Sequence, residues 1–237
     1  MVTPASEREL AQLLEKAVTS LGLMLDEKQL QQLTTYFGLL LRWNDKINLT
    51  SVRRPEEIAV RHFGESLFLA KLLRPQSGLM VDVGSGAGFP GLPVKIASPS
   101  LQAVLLEPTI KKMAFLREVI RQCALEGVDA RAERLEEAAR GDLAGQAKLV
   151  TMRAVALKPG VLAGLKKLLA PGGRIALFLG EQDAVRIATA GSRASEPGEQ
   201  MQWEPPAVIP YSERRVILMG TSKPEKAASN EGDMIAK

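Results

Sequence analysis

A short glycine-rich run is the segment of this sequence best suited to hold a ligand. It reads Asp82-Val83-Gly84-Ser85-Gly86-Ala87-Gly88-Phe89-Pro90-Gly91 and follows an apolar run that is typical of a β-strand. Glycines let the backbone approach a ligand closely, and such loops lie at the C-terminal edge of a parallel sheet. Glu107 ends the next apolar run, where a carboxylate can accept hydrogen bonds from both hydroxyls of a ribose. The loop and the acid together predict a nucleoside site.

Two nucleoside ligands compete for this loop. Gly86-x-Gly88-x-x-Gly91 matches the dinucleotide fingerprint. Pro90, however, has no N–H group to offer a pyrophosphate at the start of the following helix. Asp82 would repel a pyrophosphate, whereas it could face the cationic amino-acid group of S-adenosylmethionine, directly or through water. The pattern therefore favours S-adenosylmethionine and leaves NAD(P) as the alternative.

The single cysteine and the single histidine, Cys123 and His62, limit other kinds of chemistry. They rule out a disulfide scaffold and most cysteine- or histidine-based metal sites, so we expect no metal. Cys123 shares an apolar helical stripe with Phe115 and Leu116, which predicts a core residue rather than a nucleophile. For His62, a hydrogen-bonded structural role and a functional role both remain open.

The elements that position these residues change in type near residue 76. Apolar residues at helical spacing, with Pro4, Asp26 and Pro55 near helix starts, predict three helices in the segment 1–75. Later, short apolar runs alternate with helical segments, most clearly 109–124 and 158–170, and the runs start at Leu79, Ala103, Val128, Leu149 and Arg174. This alternation predicts an α/β fold with a mostly parallel sheet.

The C-terminal part of the chain has a different pattern. Two strands near 203–209 and 214–220, separated by a turn with Pro210 and Ser212, predict a hairpin at the sheet edge. The polar stretch from Thr221 onwards predicts a disordered tail. We therefore expect a helical N-terminal extension, an α/β domain and a tail, over residues 1–75, 76–220 and 221–237.

Charge and composition narrow the class of protein. The 237 residues carry a net charge of +4, and residues 76–180 alone hold fourteen basic and nine acidic side chains. A surplus of this kind permits a polyanionic partner such as nucleic acid, because bound phosphates release counterions. The sequence lacks an apolar run of membrane-spanning length and a signal-peptide pattern, so we expect a cytoplasmic protein without a membrane partner.

Several motifs in order resemble the RsmG (GidB) methyltransferases. The resemblance runs from about Leu39 to Gly180 and includes the unusual Phe89-Pro90-Gly91 within the glycine loop. The other matching motifs are Trp43-Asn44-Asp45-Lys46-Ile47-Asn48-Leu49-Thr50, Arg61-His62-Phe63-Gly64-Glu65-Ser66-Leu67, Lys111-Lys112 with Phe115-Leu116, Arg131-Ala132-Glu133 and Arg153-Ala154. Many methyltransferases share a glycine loop, but this combination of motifs is specific.

The resemblance implies a Rossmann-like, seven-stranded S-adenosylmethionine-dependent methyltransferase fold behind a helical extension. It implies the transfer of methyl to N7 of guanine 527 in bacterial 16S rRNA, as free RNA or within the small ribosomal subunit. Nothing in the sequence requires a dimer, so we expect a monomer. The implied cofactor-binding residues are Asp82, Gly84, Gly86, Phe89, Glu107, Ala132, Glu133 and Arg153. Arg153 is also the expected catalytic residue, and the expected RNA-binding residues are Asn44, Arg61, His62, Lys111 and Lys112.

The sequence departs from the pattern of this family at three positions. Glu65 stands where aspartate is usual, Pro108 follows Glu107 in place of a small polar residue, and Leu179 replaces a common lysine. The glycine loop itself matches, so the predicted activity stands.

The implied reaction suits a chain without an obvious acid–base pair. N7 of guanine has an in-plane lone pair and no proton, so it needs no general base. Catalysis then consists of alignment and electrostatic support. Three alternatives remain open, namely an NAD(P)-dependent oxidoreductase, a non-catalytic RNA- or ribosome-binding protein with this fold, and a small-molecule methyltransferase.

Overall fold

A computed structural model describes residues 6–73, 77–153, 160–191, 201–210, 212 and 214–222. The N-terminal part is helical, with α1 at Glu7–Ser20, α2 at Glu27–Ile47 and α3 at Pro55–Ile58. A π-helical stretch, Ala59–Gly64, joins α3 to α4 at Glu65–Leu73. Ser6 caps α1 and Asp26 caps α2, each in a reciprocal capping box with the residue three positions later. Asp26 was the predicted cap, whereas α1 begins at Glu7 rather than directly after Pro4, which lies outside the described residues.

Strands and helices then alternate as the sequence predicts. The order is β1 (Gly78–Val83), α5 (Gly91–Ala97), β2 (Leu101–Leu106), α6 (Ile110–Gln122), β3 (Val128–Arg131), α7 (Leu135–Ala138), β4 (Ala147–Arg153), α8 (Val161–Leu168), β5 (Leu169–Gly180), α9 (Glu181–Gly191), β6 (Met201–Trp203), β7 (Ala207–Val208) and β8 (Arg215–Ser222). The predicted helix 158–170 shortens to α8, and its first two positions lie outside the described residues.

Seven of these strands follow one another across the sheet in the order β3-β2-β1-β4-β5-β8-β6, and the two-residue β7 also pairs with β8. Strands β1 to β5 are parallel, whereas β8 runs antiparallel to β5, β6 and β7. The predicted Rossmann-like α/β fold is confirmed. The four strands β2, β1, β4 and β5 lie side by side in this order. Because they are parallel, their C-terminal ends form one edge of the sheet.

Two details of the sheet differ from the sequence prediction. The run expected from Arg174 belongs to a longer strand, β5, which begins at Leu169 and contains Pro171-Gly172-Gly173, and the pairing with β4 jumps there from Ala147–Leu169 to Leu149–Arg174. The first late strand, expected over 203–209, divides into β6 and β7 around Pro205-Pro206, because proline cannot donate to the ladder. The predicted hairpin partner β8 lies between β5 and β6 rather than at the sheet edge.

The proposed start of the tail also shifts. Thr221 and Ser222 belong to β8 and pair with Gln202 and Met201, while 223–237 lie outside the described residues. The division into an extension, a domain and a tail stays a prediction.

The N-terminal helices share a hydrophobic core with the sheet. Phe37 of α2, Phe63 of the π-helical stretch, Leu92 of α5 and Phe115 of α6 belong to one buried cluster. A second cluster on the opposite face of the sheet packs α7 and α8 against strand residues such as Val81. Cys123 lies in the first cluster, where its Sγ donates to the carbonyl of Gln32 at 3.3 Å and burial raises its pKa to about 12. The core role predicted for this cysteine is therefore confirmed.

We expect Phe115→Ala to lower the free energy of unfolding by about 3–5 kcal/mol, because its fully buried ring leaves a cavity in the shared core. Urea denaturation followed by circular dichroism measures this change. Ile110→Ala, on the same helix but 80% exposed, is the matched control and should change stability by less than about 0.5 kcal/mol. Equal losses in the two variants would contradict the shared core.

Candidate functional site

The glycine loop connects the end of β1 to α5. The N–H groups of Gly84 and Ser85 both donate to the carbonyl of Leu106, at 2.9 and 3.0 Å, so the loop turns over the end of β2. Gly84, Gly86 and Gly88 have φ values of 69°, 59° and 93°. Side chains with a Cβ rarely adopt such values, so this backbone path requires the three glycines.

Asp82 lies beneath the loop rather than in front of it. Its side chain is fully buried, its Oδ1 accepts from Thr151 Oγ1 at 2.6 Å, and its Oδ2 accepts from the N–H of Gly91 at 3.3 Å. A Cβ on Gly91 would lie 2.7 Å from that Oδ2 atom, so glycine is needed there. Burial raises the pKa of Asp82 to about 6, partly offset by these hydrogen bonds. The structure thus makes Asp82 a tie between the loop and β4, while its contact with a ligand stays a prediction.

Aromatic side chains from the N-terminal helices support the other side of the loop. Tyr36 donates a short hydrogen bond to the carbonyl of Ala87 and stacks on Phe89 with ring centroids 5.2 Å apart. Phe63 meets Phe89 edge-on at 5.1 Å, and His62 stacks on it at 5.0 Å. The helical segment therefore fixes the loop and is part of the site.

A cavity of about 760 Å³ opens above the loop, at the C-terminal ends of the central strands. Most of the predicted site residues line it: Arg61, His62, Gly84, Gly86, Phe89, Glu107, Lys112, Glu133 and Arg153. Its volume suits a small-molecule ligand, and its open side leaves room for a second reactant.

One end of the cavity, the acidic end, is lined by three carboxylates and also by the cations Lys112 and Arg134. Glu107 is 4% exposed, its Oε2 accepts from the N–H of Gly86 at 2.9 Å, and its Oε1 accepts from the N–H of Thr109 at 2.8 Å. Each oxygen keeps a lone pair for a further donor. Glu133 and Glu136 line the same end, after β3. This end is built to accept hydrogen bonds from hydroxyl or amino groups.

The opposite end is basic and centres on a buried carboxylate. Glu65, whose side chain is 3% exposed, lies 3.0 Å from Nη2 of Arg153 and 2.6 Å from Nη2 of Arg215. Burial raises the pKa of Glu65, while Arg153, Arg215 and Arg61 lower it. Arg153 is therefore an ion-pair partner of Glu65. Glutamate in place of aspartate here can still reach two arginines.

Arg153 has further contacts that fix its guanidinium. Nη2 donates to the carbonyl of Arg61 at 2.7 Å, and Cζ lies 5.5 Å from the centre of the Phe178 ring. Nη1 is buried and has no hydrogen-bond acceptor in the part of the chain that the structure describes. Burial is the main cause that lowers the pKa of Arg153, although a guanidinium remains charged at neutral pH.

His62 links the two ends of the cavity. Its Nδ1 lies 3.4 Å from Nη2 of Arg153, and its Nε2 lies 2.7 Å from Oγ1 of Thr50. Because a guanidinium can only donate, Nδ1 is assigned as the acceptor and Nε2–H as the donor to Thr50. Burial, reinforced by Arg153 and two further arginines, lowers the pKa of His62 to about 3. The ring is therefore neutral at pH 7.

Besides Asp82, three predicted residues lie outside the cavity lining. Asn44 is 3% exposed, and its Oδ1 accepts from the N–H of Thr50 at 2.8 Å, so it shapes the loop after α2 and is not available to RNA. Lys111 and Ala132 are exposed beside the lining residues Lys112 and Glu133.

Sequence reasoning missed Glu65, Arg215 and Tyr36 as parts of the site. Glu65 carried one signal, its place within the RHFGES motif, whereas the contacts of Arg215 and Tyr36 depend on long-range packing. Ala154 of the Arg153-Ala154 motif lies outside the described residues. Among the described residues, no group of histidine, cysteine and acidic side chains could hold a metal ion, and no helix is long and apolar enough to cross a membrane.

Comparison with solved structures defines the class of protein. The chain superimposes on an S-adenosylmethionine-dependent methyltransferase from Aquifex aeolicus with a TM-score of 0.57 and 11% identity, covering 74% of this chain and 97% of that one. It also matches TYW2 from M. jannaschii, solved in complex with AdoMet, with a TM-score of 0.54 and 16% identity over 69% and 76% of the two chains. At these identities the matches establish the fold alone, and it is the Rossmann-like methyltransferase fold.

Sequence comparison identifies the family within that class. Residues 29–202 match the family model of GidB, described as rRNA small subunit methyltransferase G. The chain is 37% identical to Ribosomal RNA small subunit methyltransferase G of Chloroflexus aggregans, over 88% of both chains. It is 36% identical to the protein of that name from Geobacter sp. strain M21, over 79% of this chain and 85% of the relative. The chain belongs to the GidB family, and the resemblance seen in its motifs is confirmed.

We expect the stability of the protein to fall with decreasing pH below about 6.5 because His62 stays neutral in the folded state. The unfolded chain gains a proton near pH 6.5, whereas the folded protein resists protonation down to a pKa of about 3. Acidification therefore stabilises the unfolded state.

Between pH 7 and pH 5, the free energy of unfolding should fall by about 2 kcal/mol more in wild type than in His62→Gln. Urea denaturation at the two pH values measures this difference. The raised pKa of Asp82 acts in the opposite direction, but it is common to both proteins and cancels in the difference. The same pH slope in both proteins would contradict a neutral, buried His62.

Proposed function

We propose that this chain transfers the methyl group of S-adenosylmethionine to N7 of guanine 527 in 16S rRNA. The observation that carries the proposal is a single cavity with two unlike ends. The acidic end, around Glu107, suits the hydroxyl and amino groups of a nucleoside cofactor, while the basic end, around Arg153 and Arg215, suits an RNA substrate. The proposed substrate would place the protein in the cytoplasm. That it acts as a monomer stays a prediction.

The residues of the acidic end fit S-adenosylmethionine, the cofactor of methyltransferases of this kind. A Cβ at Gly86 would meet only the carbonyl oxygen of Gly84, at 3.9 Å, so the loop leaves open space beside Glu107. The Glu107 oxygens can accept from the two ribose hydroxyls, and Glu133 borders the space where the adenine would lie. When bound, the cofactor supplies an electrophilic methyl group on a sulfonium.

The same loop argues against NAD(P). A pyrophosphate needs free N–H groups at the start of α5. Pro90 and Pro93 have none, the N–H of Gly91 donates to Asp82, and the N–H of Leu92 donates to the carbonyl of Gly88 at 2.8 Å. The first turn of α5 has therefore no donor to offer a phosphate group.

The chemistry asked of the chain is alignment and charge. Guanine N7 needs no base, in agreement with a neutral His62 whose two nitrogens already have partners. Phe89, His62 and Phe178 line the cavity, so part of its wall is aromatic. Arg153, held by Glu65 and the carbonyl of Arg61, would fix the substrate relative to the methyl group.

Incubation with radiolabelled S-adenosylmethionine tests the proposal, using naked 16S rRNA and small-subunit particles that lack the modification. We expect the label to be recovered as 7-methylguanosine. Cofactor binding without transfer to either RNA would instead favour a non-catalytic RNA-binding protein. Absence of cofactor binding together with measurable dinucleotide binding would favour the oxidoreductase.

A second experiment tests the role of Glu107. Glu107→Gln should weaken the binding of S-adenosylhomocysteine about tenfold or more, because a charge-assisted acceptor for the ribose becomes a neutral one. Isothermal titration calorimetry measures this affinity. Glu118→Gln, a half-buried carboxylate on α6 outside the cavity lining, serves as the control and should bind like wild type. Unchanged affinity in Glu107→Gln would rule out the proposed ribose contact.

A further inference from the structure

Three guanidinium groups meet at the basic end of the cavity, and they come from three separate elements. Arg61 lies on the π-helical stretch, Arg153 ends β4 and Arg215 begins β8. All three line the cavity together with Glu65, the one carboxylate at this end among the described residues. The other acidic lining residues, Glu107, Glu133 and Glu136, follow β2 and β3 at the opposite end.

The guanidinium of Arg215 is held on two sides. Nε donates to Oγ of Ser212 at 3.0 Å, and Nη2 contacts Oε1 of Glu65 at 2.6 Å. Among the described residues, these contacts use Nε and Nη2, and none is made by Nη1. Its side chain is 34% exposed, so a ligand can reach it from solvent. A fixed arginine with a remaining donor is well suited to an oxyanion.

Among the described residues of this cluster, Glu65 Oε2 and Arg153 Nη1 both lack a hydrogen bond, and the unpartnered donor belongs to Arg153. Its side chain is 12% exposed, and its buried Nη1 group has no hydrogen-bond partner among the described residues. A buried donor without an acceptor is unfavourable. Burial lowers the pKa of Arg153 most, Glu65 raises it, and Arg215 and Arg61 lower it. One carboxylate for three guanidiniums leaves room for an added negative group.

We infer that Arg61, Arg153 and Arg215 form a phosphate-binding site for the backbone of the RNA substrate. Glu65 is the positioning residue, because it holds two of the three guanidiniums in place. The inference rests on the proposed function, since it takes RNA as the substrate and assigns one of its phosphates to this site.

The position in the sheet favours an RNA phosphate over the carboxylate of the cofactor, which offers the same chemistry. Arg215 pairs with Gly180 at the end of β5, and β8 is the third strand from β1. With strands about 4.8 Å apart, β8 lies roughly 14 Å from the strand that carries the glycine loop. The solvent-facing side of Arg215 is therefore on the substrate side of the cavity.

Binding of an unmodified 16S rRNA transcript, measured by filter binding over a series of salt concentrations, tests this site. Arg215→Ala should weaken binding about tenfold at low salt and reduce the slope of log affinity against log salt by about 0.7–0.9, as expected for one lost phosphate contact. Arg214→Ala removes the same charge from an exposed neighbour outside the cavity lining, and should change binding less than twofold. Both variants should bind S-adenosylhomocysteine like wild type.

The variant Glu65→Gln tests whether Glu65 affects RNA affinity by positioning the arginines or only through its charge. This change makes the site more positive, so a purely electrostatic effect would strengthen RNA binding. We expect several-fold weaker binding instead, because Arg153 and Arg215 lose the carboxylate that orients them. Glu65→Asp, which keeps the charge, should restore most of the affinity, and thermal melting verifies that each variant is folded.

Several outcomes would overturn the inference. If Arg215→Ala keeps the wild-type RNA affinity and salt slope, Arg215 does not contact a phosphate. If a folded Glu65→Gln binds RNA more tightly than wild type, Glu65 is not a positioning residue. Loss of S-adenosylhomocysteine affinity in Arg215→Ala, with RNA binding unchanged, would assign the site to the cofactor instead. The proposed function fails separately, if wild type binds the transcript through Arg215 yet yields no 7-methylguanosine.

Discussion

Burial of the Glu65 carboxylate between two arginines is the constraint on which the arrangement of the cavity depends. A buried carboxylate loses its hydration, and removing one partner of such a group leaves a costly uncompensated charge. Arg153 and Arg215 must therefore stay close to Glu65. Since the three residues come from a helix and two strands, this requirement fixes the N-terminal helices against the sheet and also concentrates positive charge at one end of the cavity.

The loop that forms the other end is fixed in a different way. Its backbone requires left-handed glycines, and it is tied from below by Asp82 and from the side by Tyr36 and Phe89. Neither Asp82 nor Tyr36 lines the cavity, yet both determine where Gly84 and Gly86 lie. His62 stacks on Phe89 and also contacts Arg153, so the aromatic support and the basic cluster meet at one side chain.

The two ends give the cavity a polarity that matches two unlike reactants. A nucleoside presents hydrogen-bond donors to carboxylates, whereas an RNA chain presents phosphates to guanidiniums. Glu107 follows β2 and Arg153 ends β4, and β1 lies between these two strands, so each end retains its own preference. A neutral His62 between them suits a transfer that requires alignment and no proton abstraction.

The sequence by itself determined the order of the local features along the chain: the first strand, the glycine loop, the helix start with Pro90, and the acid at Glu107. These signals are local, because glycine, proline and alternating apolar runs act through their own backbone. It also indicated Arg61, His62 and Arg153, which the fold brings to one cavity. Only the tertiary structure decided that Asp82 and Asn44 are buried supports, that Glu65 partners Arg153, and that Arg215 joins the site. Such contacts join residues far apart in the chain, and burial, which decides whether a polar group supports the fold or meets a ligand, exists only once the sheet and helices have packed.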